Sequence, residues 1–199
     1  NNAHYLLGQL AMEEGEYEAA ARSLARAVDL RPDKDAYREA LLQALLADHR
    51  WPQAALQAQV LLDRAPREGR LWAYLGLALI GSGRDQEGRG ALSRFREIAP
   101  ADTATAHVVA RFNLQAGIEA YSVGERAAAE AAWREALNWQ EGLVGACYNL
   151  GVLLAEEGRL AEARPFLARV LELAPDAPEA PDIRRLLEAD AEAPPAGRP

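Results

Sequence analysis

The chain has 199 residues, of which 50% are hydrophobic and 7% aromatic, and its formal net charge is −8 at pH 7. An acidic chain without a basic stripe is poorly suited to binding nucleic acid. No stretch approaches the roughly 18 uninterrupted apolar residues that a membrane-spanning helix requires. The apolar residues are mostly alanine and leucine, which favour helices. This composition is typical of helical cores in which small residues allow close helix crossings.

A pattern of small residues recurs five times along the chain and predicts five helical hairpins. In its last occurrence, Gly151 marks the first helix and Gly158 marks the sharp break after it. Ala163 marks the second helix, which Pro175 ends. Successive occurrences lie 34, 34, 41 and 34 residues apart. The equivalent residues are Gly8, Leu42, Gly76 and Gly117 for Gly151, and Gly15, His49, Gly83 and Gly124 for Gly158.

The first three hairpins are regular. Pro52 lies in the first turn of its helix, where its missing N–H costs no hydrogen bond. The third turn reads Gly81-Ser82-Gly83, but a dinucleotide-binding pattern would need a glycine in place of Gln86 and a strand before it. We therefore interpret this segment as a loose corner. The predicted helices cover 1–14 and 17–30, then 33–48 and 52–64, then 71–80 and 86–98.

The fourth hairpin contains seven extra residues, 103–109. Seven residues are close to two helical turns, so an inserted heptad lengthens a helix without rotating its buried face. We predict a single helix from Thr103 to Ser122, capped by Asp102 or by Thr103 itself. A return helix over 127–139 follows. The alternative is a short loop that leaves the neighbouring helices undisturbed.

The segments after Pro175 differ in character from the hairpins. Residues 178–190 carry apolar residues on one helical side and charged residues on the other, which predicts a capping helix. Residues 191–199 are rich in proline and alanine and are expected to be disordered. Since the chain starts at Asn1 with no Met and no signal-like segment, we expect it to be a piece of a longer protein.

The period of 34 residues, with Asn149-Leu150-Gly151, Ala163 and Pro175 as its landmarks, resembles the tetratricopeptide repeat. The resemblance implies an all-α fold, an α-α superhelix of five helix-turn-helix repeats with a C-terminal capping helix. It also implies a non-catalytic scaffold or adaptor that binds a peptide or helix of a partner protein in a concave groove. The implied divisions are 1–34, 35–68, 69–102, 103–143 with the insertion and 144–177 for repeats 1 to 5, 178–190 for the capping helix and 191–199 for the tail.

In tetratricopeptide arrays, one stripe of the first helix of each repeat lines the concave surface. In repeat 5 this stripe carries Tyr148 and Val152, and the equivalent positions are mostly apolar from repeat 3 onward. Such a groove suits an amphipathic helix or an extended peptide with apolar anchors. The candidate partner-binding residues, here the groove set, are Arg70, Tyr74, Leu77, Ile80, Arg111, Leu114, Gln115, Ile118, Tyr121, Tyr148, Asn149 and Val152.

Arrays that grip the acidic carboxyl-terminal tails of chaperones use Lys, Arg and Asn at these positions. Here the only lysine is Lys34, which lies outside them, and Asn149 is the single match. Arg70 and Arg111 are incomplete substitutes, so we argue against a chaperone-tail clamp. The same positions hold Tyr5, Gln9 and Met12 in repeat 1 and Glu39, Gln43 and Leu46 in repeat 2.

No catalytic, cofactor-binding or metal site is expected from the sequence. His4, His49 and His107 are each isolated from a carboxylate or cysteine at ligand spacing. Cys147 is the only cysteine and is interpreted as a small buried hydrophobe. We therefore expect no enzyme activity and no cofactor. The cellular compartment, cytoplasmic or periplasmic, stays open.

The sequence leaves three alternatives to an adaptor with an open groove. In the first, the groove set packs on neighbouring helices or is covered by another copy of the chain. In the second, the chain is the recognition arm of a larger enzyme, such as a glycosyl- or sulfotransferase, whose catalytic part lies elsewhere. In the third, the chain is a self-assembly module that forms homo-oligomers.

Overall fold

The computed structural model describes the backbone of residues 2–192 and the side chains of residues 2–188, and this part of the chain contains 11 α-helices and no strand. The all-α prediction is confirmed. Residues 191 and 192 are helical, whereas the rest of the predicted tail, 193–199, lies outside the described residues. The helices are α1 (Asn2–Glu13), α2 (Tyr17–Leu30), α3 (Asp35–Ala47), α4 (Trp51–Arg64), α5 (Gly69–Gly81), α6 (Asp85–Ile98), α7 (Thr103–Ser122), α8 (Arg126–Trp139), α9 (Val144–Glu156), α10 (Leu160–Leu173) and α11 (Ala180–Glu192).

The helices belong to two compact units, which meet in the sequence at Thr105 and Ala106. In unit 1, α1 to α6 pack in chain order, each helix on the next, as three hairpins. In unit 2, α8 to α11 pack in the same way, and α7 packs on α8 through Trp133. The five helix-turn-helix repeats and the final helix are thus confirmed. Among the described helices, none is both long and apolar enough to cross a membrane.

Each hairpin closes through one small and one large residue that face each other. A Cβ atom added to Gly151 would lie 2.6 Å from Leu167 Cδ2, too close for any real side chain. In repeat 2 the sizes are exchanged, since Leu42 and Ala58 are both fully buried in the core of unit 1. The exchange changes the volume of the pair by only one methyl group, and a close-packed core tolerates substitutions best when they nearly conserve volume. The other glycine-containing pairs are Gly8 with Leu24, Gly76 with Leu92 and Gly117 with Trp133.

The turn inside every hairpin contains one residue with a left-handed backbone. His49 adopts this conformation with φ 56° in repeat 2, and its ring stacks on Trp51 at a centroid distance of 4.8 Å. In the other four repeats the residue is a glycine, which has no Cβ to oppose a positive φ. These are the five turn positions that the sequence pattern predicts. The four glycines are Gly15, Gly83, Gly124 and Gly158, with φ between 76° and 83°.

Helix α7 has the bounds predicted for the helix that contains the insertion, Thr103–Ser122. The Asp102 carboxylate accepts a hydrogen bond from the backbone N–H of Thr105 at 3.0 Å, so Asp102 caps the helix. Hydrogen bonds from Thr105 lower the pKa of Asp102 below its ordinary value. The alternative of a short loop is therefore wrong, because the inserted residues continue the helix.

Candidate functional site

The groove set is divided between the two units. Unit 1 contains four of its members, all on α5, and unit 2 contains the other eight, on α7 and α9. The α5 members are Arg70, Tyr74, Leu77 and Ile80, and those of unit 2 are Arg111, Leu114, Gln115, Ile118, Tyr121, Tyr148, Asn149 and Val152.

On α5 the structure departs from the expectation of an open groove. Leu77 is only 3% exposed, so its side chain lies inside the packed protein and offers no surface to a partner. The physical reason is that α5 is apolar over almost its whole circumference, and such a helix is buried on more than one side. For Leu77, the alternative in which groove positions pack internally is the correct one.

The other α5 members are engaged within unit 1. Arg70 donates a hydrogen bond from Nη2 to Glu39 Oε2 of α3 at 2.9 Å. Tyr74 is half-buried and packs against the core of unit 1. Ile80 is also half-buried, and its Cγ1 atom faces the space beside Gly88. This part of the groove set therefore presents little open apolar surface.

In unit 2 the structure brings five members of the groove set together around one cavity. The cavity has a volume of about 240 Å³ and lies between α7 and α9, with α8 behind it. Ile118 is 42% exposed, so its side chain is accessible from solvent. We name this space the unit 2 cavity, and its lining residues are Ile118, Tyr121, Trp133, Tyr148, Asn149, Val152 and Leu153.

Trp133 forms the inner wall of the unit 2 cavity and was not in the groove set. It is 2% exposed, and its indole Nε1 donates a hydrogen bond to the Leu114 carbonyl at 3.2 Å. The indole occupies the space that a side chain at Gly117 would need. The sequence contains one signal for this role. The equivalent large residues in repeats 1, 3 and 5 are leucines, so the larger indole in repeat 4 must extend into space that a leucine does not fill.

Tyr121 and its neighbours form the rim of the unit 2 cavity. The Tyr121 hydroxyl donates to Glu156 Oε2 at 2.9 Å, and Arg126 Nη1 donates to the same oxygen at 3.0 Å. The Arg126 guanidinium also lies 5.5 Å from the centre of the Tyr121 ring. The hydrogen bond to Glu156 is the main reason that the pKa of Tyr121 is raised above 10. The rim therefore holds a neutral phenol and a paired acid and base, so it presents no net charge.

Three further members of the groove set lie away from this cavity. Arg111 is exposed near the middle of α7. Gln115 donates a hydrogen bond to Glu119 on its own helix at 3.0 Å. Leu114 is half-buried and packs against the core of unit 2. These residues lie on the helix that carries Ile118 and Tyr121 but do not line the cavity.

Repeats 1 and 2 contain a cavity at the matching positions. This unit 1 cavity has a volume of about 360 Å³ and lies between α1 and α3. Its walls include two carboxylates, and Gln9 Nε2 donates a hydrogen bond to the Tyr5 hydroxyl at 3.0 Å. The unit 1 cavity thus mixes polar and apolar side chains, whereas the lining of the unit 2 cavity is mostly apolar. Its lining residues are Tyr5, Gln9, Met12, Glu13, Leu24, Ala36, Glu39, Ala40 and Gln43.

The residue types needed for metal binding do not cluster in the described part of the chain, where no group of three His, Cys, Asp or Glu side chains could hold an ion. Cys147 is buried, and burial raises the pKa of its thiol. At neutral pH this thiol is therefore protonated and a poor nucleophile.

Comparison with known proteins agrees with the repeated helical hairpins. The family model described as tetratricopeptide repeat matches residues 2–34 and 144–177. A search of curated protein sequences gave no match.

Among solved structures, the chain is similar to MamA 41-end from Desulfovibrio magneticus RS-1, with 15% identity over 89% of this chain and 96% of that one and a TM-score of 0.59. A second MamA crystal structure has 16% identity over 100% and 97% of the two chains and a TM-score of 0.55. YrrB, described as a TPR protein with an unusual peptide-binding site, has 19% identity over 92% and 90% of the two chains and a TM-score of 0.50. At these identities the likeness shows a shared fold.

Proposed function

We propose that this chain, whose residues 2–34 and 144–177 match the tetratricopeptide-repeat family model, is a non-catalytic scaffold that binds a segment of a partner protein at the unit 2 cavity. The observation that carries the proposal is the concentration of apolar and aromatic side chains around one accessible opening. Ile118 and Val152 supply aliphatic walls, and Tyr121 and Tyr148 supply aromatic ones. A contact of this kind gains free energy mainly by removing apolar surface from water.

The size of the cavity indicates what enters it. Pockets for small molecules usually have volumes of about 300 to 1,000 Å³. The unit 2 cavity is smaller, at about 240 Å³. We therefore infer that it receives a single bulky apolar side chain of a partner peptide. A buried anchor side chain of this kind typically supplies much of the binding energy of a peptide contact.

Asn149 is the one amide in a lining otherwise made of aliphatic and aromatic side chains. Its side-chain amide has both a hydrogen-bond donor and an acceptor, the same pair that a peptide backbone unit offers. An extended peptide can therefore place its backbone against Asn149 while its anchor enters the cavity. No lysine, arginine or carboxylate belongs to the lining, so a charged peptide terminus is not the feature recognised.

The partner can be sought with a display library of random linear peptides selected on the immobilised chain. We expect the selected peptides to share one large aliphatic or aromatic residue, because only that residue fits the cavity. Their affinities are then measured by fluorescence anisotropy for the chain and for the Ile118→Glu variant. A carboxylate at residue 118 would have to be desolvated on binding, so we expect affinity to fall at least tenfold.

Leu173→Glu is the matched control, because Leu173 lies in the same unit, is 40% exposed and does not line the cavity. This variant should bind the selected peptides as the unmodified chain does. Equal binding by the Ile118→Glu variant, with its helical circular dichroism unchanged, would exclude the unit 2 cavity as the binding site. A library that yields no binding peptide would count against the scaffold proposal as a whole.

A further inference from the structure

Another cavity lies in unit 1 between α4 and α6, with α5 beneath it. Its volume is about 450 Å³. Leu75 and Leu79 of α5 are buried and form its floor, and Leu56 of α4, which is 61% exposed, forms part of its wall. We name this space the α4–α6 cavity, and it shares no lining residue with the unit 1 cavity.

The matching space in repeats 4 and 5 is filled by an aromatic ring. Phe166 of α10 stands at the position that Ala91 holds in the α4–α6 cavity, and its ring packs against the core of unit 2. Arg134 of α8 stands at the position of Gln59, and its guanidinium lies 5.8 Å from the centre of the Phe166 ring. The α4–α6 cavity therefore has a methyl group and an amide where unit 2 has a ring covered by a cation.

The matching space also contains a carboxylate. Glu130, at the position of Ala55, accepts hydrogen bonds from Arg159 Nη1 at 2.8 Å and from Arg159 Nη2 at 3.1 Å. Another edge of the same guanidinium, formed by Nε and Nη2, donates to Glu162 at 2.9 and 2.8 Å. Two edges of Arg159 thus each bind a carboxylate in the bidentate geometry that makes such pairs strong.

In the α4–α6 cavity, Arg84 keeps only one of these two contacts. Arg84 stands at the position of Arg159, and its Nε and Nη2 donate to Glu87 at 2.8 and 2.6 Å. Ala55 offers no acceptor to the other edge, and Nη1 of Arg84 has no hydrogen-bond partner among the described residues. The cavity therefore combines the space of a missing ring with a guanidinium edge that lacks its carboxylate.

Repeats 1 and 2 show that this opening is not a general property of the fold. Arg38 and Gln57 stand there at the positions of Trp72 and Ala91. Arg38 Nη1 donates a hydrogen bond to Gln57 Oε1 at 2.6 Å, so these two side chains occupy the space between their helices. Repeats 1 and 2 and repeats 4 and 5 thus fill this space with their own side chains, whereas repeats 2 and 3 leave it open.

We propose that the α4–α6 cavity binds a small aromatic carboxylate, a free molecule with one aromatic ring system and one carboxylate group. The ring takes the place that Phe166 holds in unit 2 and lies on Leu75 and Leu79, where it is removed from water. The carboxylate takes the place of Glu130 and accepts hydrogen bonds from the open edge of Arg84. Because the Arg84 side chain is 54% exposed, the two charges meet without being fully desolvated.

The volume of the cavity favours a free molecule over a single side chain of a peptide. Pockets for small molecules usually have volumes of about 300 to 1,000 Å³, and the α4–α6 cavity, at about 450 Å³, falls within this range. The unit 2 cavity, at about 240 Å³, lies below it. The two sites are on different units and are occupied independently of each other.

Titration with 2-naphthoate, followed in ¹H–¹⁵N NMR spectra by the indole N–H of Trp72, tests the proposal, because Trp72 lines the cavity. We expect saturable binding with a dissociation constant of at most about 1 mM, the affinity that ligand efficiency allows for a molecule of about 13 heavy atoms. The neutral probe 2-naphthalenemethanol keeps the ring and lacks the charge. It should bind at least about fivefold more weakly.

Two substitutions that copy unit 2 should close the site. Ala91→Phe places a ring in the cavity and should weaken 2-naphthoate binding at least tenfold, with unchanged helical circular dichroism because repeat 5 accommodates the same residue. Ala55→Glu supplies a carboxylate to Arg84, as Glu130 does to Arg159 in unit 2. It should therefore remove the preference for the acid over the alcohol.

Arg84→Gln should also abolish this preference, because it removes the only cation that lines the cavity. Arg94→Gln is the matched control. Arg94 lies on α6, is 57% exposed and pairs with Glu97 three residues along the chain, but it does not line the cavity. This variant should bind 2-naphthoate as the unmodified chain does. Both arginines are exposed, so this pair of variants tests the site even if Ala91→Phe disturbs the fold.

Four outcomes would overturn the proposal. They are the absence of a saturable response of Trp72 to 2-naphthoate, equal affinity for the acid and the alcohol, unchanged binding by a folded Ala91→Phe variant, and equal weakening by Arg84→Gln and Arg94→Gln. The Ile118→Glu variant, which is designed to disable the unit 2 cavity, should bind 2-naphthoate normally. Failure at one site is therefore distinguishable from failure at the other.

Discussion

The unit 1 and unit 2 cavities are built from the same positions of the repeat and differ in polarity. Gln9 of repeat 1 corresponds to Ile118 of repeat 4, and both line their cavities. Glu39 of repeat 2 likewise corresponds to Tyr148 of repeat 5. Since small residues at the hairpin crossings set the backbone, the side chains that face the cavity are free to differ. One helical scaffold thus presents a partly polar surface in unit 1 and an apolar, aromatic one in unit 2.

The inner walls of the two cavities also differ. Leu24 lines the unit 1 cavity and Trp133, at the equivalent position, lines the unit 2 cavity. The larger side chain accompanies the smaller volume, about 240 Å³ in unit 2 against about 360 Å³ in unit 1. Leu24 and Trp133 are thus each part of the core and of a cavity wall. A substitution at this position should therefore change both the stability of the hairpin and the shape of the cavity.

The largest effect is expected from Trp133→Ala. Removing a buried indole typically costs about 3 to 5 kcal/mol, and here it also removes the donor to the Leu114 carbonyl. Trp133→Leu, which copies the unit 1 residue, should cost clearly less. Urea denaturation followed by circular dichroism measures both losses. If Trp133→Ala destabilised the protein by less than a typical surface substitution does, the indole would not support α7 as described.

A second prediction concerns the exchanged pair in repeat 2. Leu42→Gly leaves a cavity and should cost about 2 to 5 kcal/mol, and Ala58→Leu overpacks the core and should cost about 1 to 3 kcal/mol. The double variant restores the arrangement of repeats 1, 3 and 5, so its free energy of unfolding should lie well above the value expected from adding the two losses. Simple additivity in the urea denaturation of the three variants would contradict the idea that the hairpins of both units close by one rule.

A third and smaller effect is expected in the turns. His49→Gly should stabilise unit 1 by about 0.5 kcal/mol, because relief of the left-handed conformation outweighs the lost stacking on Trp51 and the added freedom of the unfolded chain. Gly83→Ala, at the same position of the next turn, should instead destabilise by about 1 kcal/mol. Thermal unfolding should therefore shift in opposite directions for the two variants. Shifts of the same sign would show that backbone conformation does not decide this position.

The smallest effect concerns the rim of the unit 2 cavity. The native pKa of Tyr121 is raised by Glu156, so the native state favours the neutral phenol. Its contribution to stability is complete below the unfolded pKa, near 10, and is lost as pH rises through the higher native value. Spectroscopic titration of tyrosinate should show Tyr121 ionising at lower pH in Glu156→Gln. In Arg126→Gln it should ionise at higher pH, because the cation lowers this pKa. Identical titration curves for the three proteins would contradict the described hydrogen bond.

Much of the fold could be predicted because it depends on local rules. The left-handed turns need glycine or a residue that tolerates positive φ, and the pattern located all five, including His49. The heptad insertion predicted the length of α7 because a helix absorbs about two turns without rotating its face. These features require only neighbouring residues and backbone geometry, both of which are written in the sequence.

The candidate site was less predictable, as Leu77 and Ile118 illustrate. Both are aliphatic residues at the same position of their repeats, yet Leu77 is buried and Ile118 is accessible. Trp133 was missed for a related reason, since its contribution to the cavity depends on its placement behind Tyr121, with the two ring centres 5.8 Å apart. Neither difference is visible in the helical periodicity of the residues themselves.

By itself, the sequence determined that this chain is a series of helical hairpins, where each one turns and which small residues allow its helices to approach. These properties follow from steric exclusion over short distances along the chain. Only the tertiary structure decided which apolar positions remain accessible, because the exposure of a side chain depends on every helix packed around it. The same helical position can therefore be core in α5 and surface in α7.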